Sequence, residues 1–421
     1  MEIFTETKEP AIVRGIKDVG VGKKGSKSLS PDLACEIAAE LKCGTVSPAR
    51  KGAFFGALFI KGITPDVMIL DSVFEKGTLT NPKRLAEAIA ADAPPFVRDI
   101  CSFLLEGQTL DRESAHRLGK FLFSDDPCDD ARGLIASVLR VRYETADEYQ
   151  GLLMAMEETF APSFREEIPS GEPIVQLAEP FDGVDNSYLL TPLLANYIQK
   201  LGYRVVSLVG RNSGPKNGNT LSDLIEALGI KPILENSALN DQGSPFGHYI
   251  HQRNLSQAID RWVGIRREVI KRPFLSTLEK FLNPAKANIL VTSAFHPPYT
   301  EKMLTIAERA GFPGVIVMRN GQEGSLSFPL NRSVKILCSA VRCEGDYLRT
   351  EMEVKPNELL GFEIKTDEKL IQPSISENAK FILNFKEKNT SGHSLFDARV
   401  KVTCEGLRKA IEWVKENTAV I

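Results

Sequence analysis

The chain has 421 residues, 43% of them hydrophobic and 25% charged, with a formal net charge of −3. That is enough chain for one large domain or two to three ordinary ones. The charge excludes a surface coated for nucleic-acid binding and leaves room for a local basic groove.

The opening, MEIFTETKEPAIVRG, has no apolar signal core, and no run nears the ~18 apolar residues of a membrane span. Seven scattered cysteines (Cys35, Cys43, Cys101, Cys128, Cys338, Cys343 and Cys404), never spaced CxxC, fit reduced thiols in a cytoplasmic protein. The first 160 residues hold a repeat. Ser28–Asp66 aligns without a gap on Thr109–Asp147, at an offset of 81. Leu29 matches Leu110, Ala34 Ala115, Leu41 Leu122, Gly52 Gly133, Leu58 Leu139, Thr64 Thr145 and Asp66 Asp147, with Lys61 facing Arg142. Each copy predicts a Ser- or Thr-capped amphipathic helix, a polar break, a more apolar helix around the glycine, and a Thr-capped third helix.

From residue 171 short apolar runs alternate with helical patterns. IVQLAEPF, YRVVSLVG, ANILVTSAF, PGVIVMRNG and SVKILC read as strands, and LLTPLLANYIQKLG, TLSDLIEALG, LSQAIDRWVGIRREVIKR and TEKMLTIAERAG as helices. Strictly alternating elements predict a parallel sheet with crossover helices. Beyond residue 346 a strand at KFILNFKE and a final amphipathic helix from Phe396 are expected. The fold class is therefore α/β: an internally duplicated N-terminal helical bundle plus a parallel-sheet domain. The expected boundaries are 1–75 for the first helical unit, 76–170 for its copy, 171–345 for the α/β domain, and 346–421 for a C-terminal extension with a closing helix.

Three segments carry a family resemblance: SLSPDLACEIAAELKCG with GALFIKGITPD, VGRNSGPKNGNTLSDLIEALGI, and GIRREVIKRPFLSTLEKFLNP. They resemble the anthranilate phosphoribosyltransferases, glycosyltransferases of family 3 with a nucleoside phosphorylase-like fold. GKKGSKSLS, NSYLLTPLLANYIQKLG, FHPPYTEKM and NGQEGSLSFPLNRS are similar to the family's divergent second branch. The resemblance implies a ligand cleft between the helical and α/β domains, a homodimer through the helical domain, and, for the divergent branch, nucleic-acid binding.

Phosphoribosyl transfer needs amides for the pyrophosphate, carboxylates for Mg²⁺, and a positioned acceptor. The family's glycine-rich motif falls on Asp182, Gly183, Val184, Asp185, Asn186 and Ser187, with one glycine. Its acidic pair falls on Leu326 and Ser327, which supply no carboxylate, with Glu323 displaced nearby. The second loop offers Arg211, Asn212, Lys216, Asn217 and Thr220, and the acceptor-carboxylate arginine of the family matches Arg266–Arg267. Arg267 and Lys271, four apart in a predicted helix, share a face. Lys17, Lys23, Lys24 and Lys27, in a glycine-spaced loop, together with Lys271 and Arg272 are candidate contacts to a nucleic-acid backbone. His248 and His251, three apart, read as a helical pair without a third metal ligand, and His296 is placed at the cleft mouth.

Three functional readings stand at this point, the third being a purely structural assembly protein built around the extra helical repeat. One is a phosphoribosyltransferase-like protein with degenerate Mg–pyrophosphate motifs that binds a phosphate-rich ligand, a nucleic acid or a nucleotide-like molecule, with no certain cofactor and no assigned catalytic residue. The alternative is an active phosphoribosyltransferase carrying ribose 5-phosphate to an aromatic or nitrogenous acceptor. Only that alternative needs Mg²⁺, held by Asp182, Asp185 or Glu323.

Overall fold

Proline opens many of the helices, at the position where the missing N–H costs nothing. The computed structural model describes residues 9–22, 25–241, 244–296, 298–319, 322–343, 345–365 and 373–419. They fall into two compact units, Met1–Ala155 with Arg261–Thr277, and Met156–Asp260 with Leu278–Ile421.

The helical unit runs α1 (Ala11–Val19), α2 (Pro31–Lys42), α3 (Pro48–Lys61), a 3₁₀ turn (Pro65–Val73), α4 (Pro82–Ile89), α5 (Pro95–Leu105), α6 (Arg112–Leu122), α7 (Asp129–Arg142) and α8 (Ala146–Glu157). The repeat is visible in the backbone. α2 and α6 begin at Pro31 and Arg112, and α3 and α7 span Pro48–Lys61 and Asp129–Arg142, each pair 81 residues apart. Ser30 caps α2 and Asp111 caps α6, so the second copy uses Asp where the sequence suggested Thr109. The third elements differ. Thr145 and Glu148 exchange capping hydrogen bonds at α8, whereas Thr64 makes none and a 3₁₀ turn follows. α3 is buried without interruption from Gly52 to Leu58, and α7 from Ala131 to Leu139. Helices apolar all round belong at the centre of a unit, and these two pack on each other.

The α/β unit holds one sheet in the order β3-β2-β1-β4-β5-β6-β7. Its strands are β1 (Ile174–Leu177), β2 (Arg204–Val209), β3 (His248–His251), β4 (Ile289–Ala294), β5 (Gly314–Arg319), β6 (Val334–Cys343) and β7 (Asp346–Val354). The first five are parallel, and β6 and β7 run antiparallel at one edge. β1 and β4 are buried along their whole length, as a sheet covered on both faces requires. The helices that follow β1 in the chain are α9 (Thr191–Lys200), α10 (Leu221–Ala227), α11 (Gln252–Leu255), α12 (Gln257–Val269), α13 (Leu275–Leu278), α14 (Pro298–Arg309), α15 (Pro356–Leu360), α16 (Ile375–Lys388) and α17 (Ser394–Asn417). Strand order reverses direction at β1, flanked by β2 on one side and β4 on the other. In open α/β sheets ligands bind beyond the carboxyl ends of strands at such a switch point.

Three expectations change. KFILNFKE lies in helix α16, because Ser374 caps its start and Ala379 and Ile382 recur at helical spacing on one buried face. His248 and His251 lie on β3, where residues three apart point to opposite faces, so they share no helical face. Residues 346–417 supply the edge strand β7 and the helix α17, whose apolar face is part of the same buried core as the sheet.

Candidate functional site

Three loops leave the carboxyl ends of β1, β2 and β5. The first two are bonded to each other along their backbones. Val184 N donates to Asn219 O at 2.9 Å, Asn219 N to Val184 O at 2.9 Å, and Gly218 N to Asp182 O at 3.1 Å. Gly183 has φ +80°, and a Cβ there would lie 2.4 Å from Gly218 O. Its lack of a side chain is what allows the loops to meet. The amides of Val184, Gly218 and Asn219 are thus spent on protein carbonyls.

A donor set nevertheless converges beside this seam. Asp185 N donates to Glu323 Oε2 at 2.6 Å, Asn186 Nδ2 to Glu323 Oε1 at 2.7 Å, and the Lys216 ammonium to Glu323 Oε2. Lys216 Nζ also lies 3.9 Å from Asp185 Oδ2. Glu323 holds φ +56°, a strained geometry that favours glycine. Partial burial pushes its carboxyl up, but the hydrogen bonds from Lys216, Asn186 and the Asp185 amide outweigh it and bring it down to about 2. Three donors from two loops therefore grip one carboxylate from a third.

The other predicted residues divide between support and ligation. Asn212 braces its own loop, donating to Gly218 O and accepting from Gly214 N, both at 3.0 Å. Thr220 caps α10 in a capping box with Asp223. Arg211 grips Asp260 through Nε at 3.0 Å and Nη2 at 2.7 Å, a bidentate pair. Asp182 is buried, and Ser187 is buried with its hydroxyl 3.2 Å from that of Ser325. Asn217 is exposed with φ +55°.

A Mg²⁺ ion asks for an octahedron of oxygens, several from carboxylates or water. Leu326 and Ser327 are fully buried and bring none. Asp185 and Glu323 already share the Lys216 ammonium. Among the described residues no three His, Cys, Asp or Glu side chains gather as ligands. These residues do not fit a Mg²⁺ site.

Sequence reasoning missed Glu179, just past β1. It is buried, accepts Thr191 Oγ1 at 2.6 Å and Leu326 N at 3.2 Å, and burial pushes its carboxyl up to about 7, against those bonds and the Lys280 charge. The available signal was an acid at the end of an apolar run. Three buried hydroxyls, Ser213 after β2, Ser293 on β4 and Ser327 after β5, have no partner among the described residues. Phe295 and His296 follow β4, with ring centroids 4.9 Å apart and Phe295 half exposed.

Arg266, Arg267, Lys271, Arg272 and Lys27 belong to the helical unit. Arg266 is buried and donates to Ser276 Oγ at 2.8 Å. Helix α12 ends at Val269 and Ile270 has φ +64°, so Arg267 and Lys271 do not share a helical face. Burial and the nearby charges of Arg140 and Lys17 push the Lys271 ammonium down. Arg267, Arg272 and Lys27 are exposed. Lys23 and Lys24 lie outside the described residues.

No protein-family model matches the chain. An uncharacterized protein of Aquifex aeolicus is 23% identical over 309 residues, covering 72% of this chain and 91% of that protein. The anthranilate phosphoribosyltransferase of Geobacillus stearothermophilus is 24% identical over 233 residues, 54% of this chain and 66% of the enzyme. Among solved structures, the anthranilate phosphoribosyltransferase of Thermus thermophilus superposes with a TM-score of 0.54 at 20% identity, covering 76% of this chain and 99% of that one. The Saccharomyces cerevisiae enzyme in complex with PRPP and Mg superposes with a TM-score of 0.51 at 13% identity, covering 81% and 98%. The chain has the anthranilate phosphoribosyltransferase-like fold.

Proposed function

We propose that this chain, built on the anthranilate phosphoribosyltransferase-like fold, binds a phosphate-bearing ligand at the carboxyl end of its sheet without the Mg²⁺-dependent departure of pyrophosphate. The observation that carries the reading is the convergence of Lys216, the Asp185 amide and the Asn186 amide on Glu323. A carboxylate and a phosphate oxygen ask for the same donors. Glu323 holds the place that a ligand phosphate takes when the Glu323 loop yields.

The Mg–pyrophosphate motifs are degenerate on this reading. An ammonium supplies the positive charge between two acids, and leucine and serine stand at the acidic pair. The ligand class is nucleotide-like at the strand ends. A nucleic-acid backbone is the matching ligand for the exposed Lys27, Arg267 and Arg272 of the helical unit.

Calorimetry with inorganic pyrophosphate in the absence of Mg²⁺ tests the site. Glu323→Ala, which frees the three donors, binds at least about tenfold more tightly than the native chain, a gain of about 1.4 kcal/mol. Equal affinity in both proteins, or no binding in either, removes the anion site. Filter binding of a single-stranded oligonucleotide across a salt series tests the backbone contacts, with affinity falling steeply as salt rises. A flat response removes nucleic acid.

A further inference from the structure

The close approach of α3 and α7 is reciprocal. A Cβ on Gly52 would lie 1.8 Å from Asp130 O and 2.9 Å from Leu134 N, and a Cβ on Gly133 would lie 2.0 Å from Ala49 O and 3.0 Å from Ala53 N. Gly52 and Gly133 are 81 apart in sequence, and so are Ala49 and Asp130, and Ala53 and Leu134. Each glycine thus touches the counterpart of the residue that its own counterpart touches. Contacts of i with j matched by j with i are the signature of an isologous two-fold interface. The arrangement extends outward, since α1 packs on α3 and α5, at the matching place in the second copy, packs on α7.

We infer that the two helical copies form a dimer interface closed within one chain, so that the duplication replaces a second subunit and the protein is a monomer. The self-complementary surface of α3 is buried from Gly52 to Leu58 by its own chain. A second molecule could reach it only by displacing α7, itself buried from Ala131 to Leu139. The homodimer through the helical domain expected from the sequence is met by the chain's own second copy. The chain holds two helical copies and one α/β unit, so each monomer carries one copy of the strand-end site proposed above.

Sedimentation equilibrium of the full chain tests the inference. The expected mass is the monomer's, 46.5 kDa, at every concentration loaded. A species of twice that mass overturns it. Thermal unfolding gives a second readout that does not depend on isolating a destabilised variant. The native chain melts at a temperature independent of protein concentration, whereas an interface between chains makes melting rise with concentration. Gly52→Ala and Gly133→Ala each force a Cβ into the opposing backbone, and each lowers the melting temperature by about 5 °C or more, to the same extent. Loss at one glycine without loss at the other overturns the two-fold relation.

Discussion

Glu179 and Glu323 are two carboxylates whose surroundings push them in opposite directions. Burial raises Glu179 from 4.5 to about 7, so the folded chain keeps a proton there that the unfolded chain gives up. Stability from this group is full below pH 4.5 and is lost as pH rises to about 7. Glu157, raised to about 7 mainly by burial, adds to the same trend. Glu179→Gln removes its share, so the variant gains about 1–3 kcal/mol relative to the native chain on going from about pH 5 to about pH 8. Denaturant unfolding at the two pH values measures this, and an identical pH dependence in both proteins contradicts it. Glu323 runs the other way. Its hydrogen bonds lower it from 4.5 to about 2, and its contribution disappears as pH falls through that window. Glu323→Gln is therefore less sensitive to acid than the native chain between pH 4.5 and 2, a difference read from acid unfolding curves.

At the scale of elements, the seam between the loops after β1 and β2 decides what the strand ends can hold. Gly183 sits at φ +80° with Gly218 O where its Cβ would go. Gly183→Ala costs about 2 kcal/mol or more from the backbone conformation and the clash together. A melting temperature unchanged by this substitution would mean that the loops are not held together as described. The elements around the seam were legible where one period dominated. β1, β2, β4 and β5 are short apolar runs between turn residues, and Thr220 announces α10. β3 was not legible, because HYIH is four residues with two histidines. α16 misled because Phe381, Ile382 and Phe385 resemble strand composition, and the capping Ser374 weighs more than composition. The donors Lys216, Asp185 and Asn186 were named from the sequence. Glu323 was named too, as a candidate metal ligand with Asp182 and Asp185, but its role as their common acceptor was not legible, since it lies 138 residues from Asp185 and only the sheet order brings the ends of these strands together.

At the scale of the molecule, the helical duplication was readable because caps, breaks and glycines recur at one offset without a gap. Its consequence was not, because a repeat does not say whether its copies face each other or stand apart. The glycines say so only when their backbones are seen to touch. The sheet likewise joins segments that sequence reading kept separate, since β7 and α17 complete a core begun at β1. The fold is that of proteins whose solved structures include one with PRPP and Mg. On the proposed function, this chain keeps a place for phosphate and has given up the divalent ion. The measurement that bears on it most directly is calorimetry of phosphoribosyl pyrophosphate binding with and without Mg²⁺, followed by assay for released pyrophosphate. The expected affinity is one that Mg²⁺ alters by less than about threefold, with no pyrophosphate released. Binding that appears only with Mg²⁺, or turnover of the sugar donor, would contradict it.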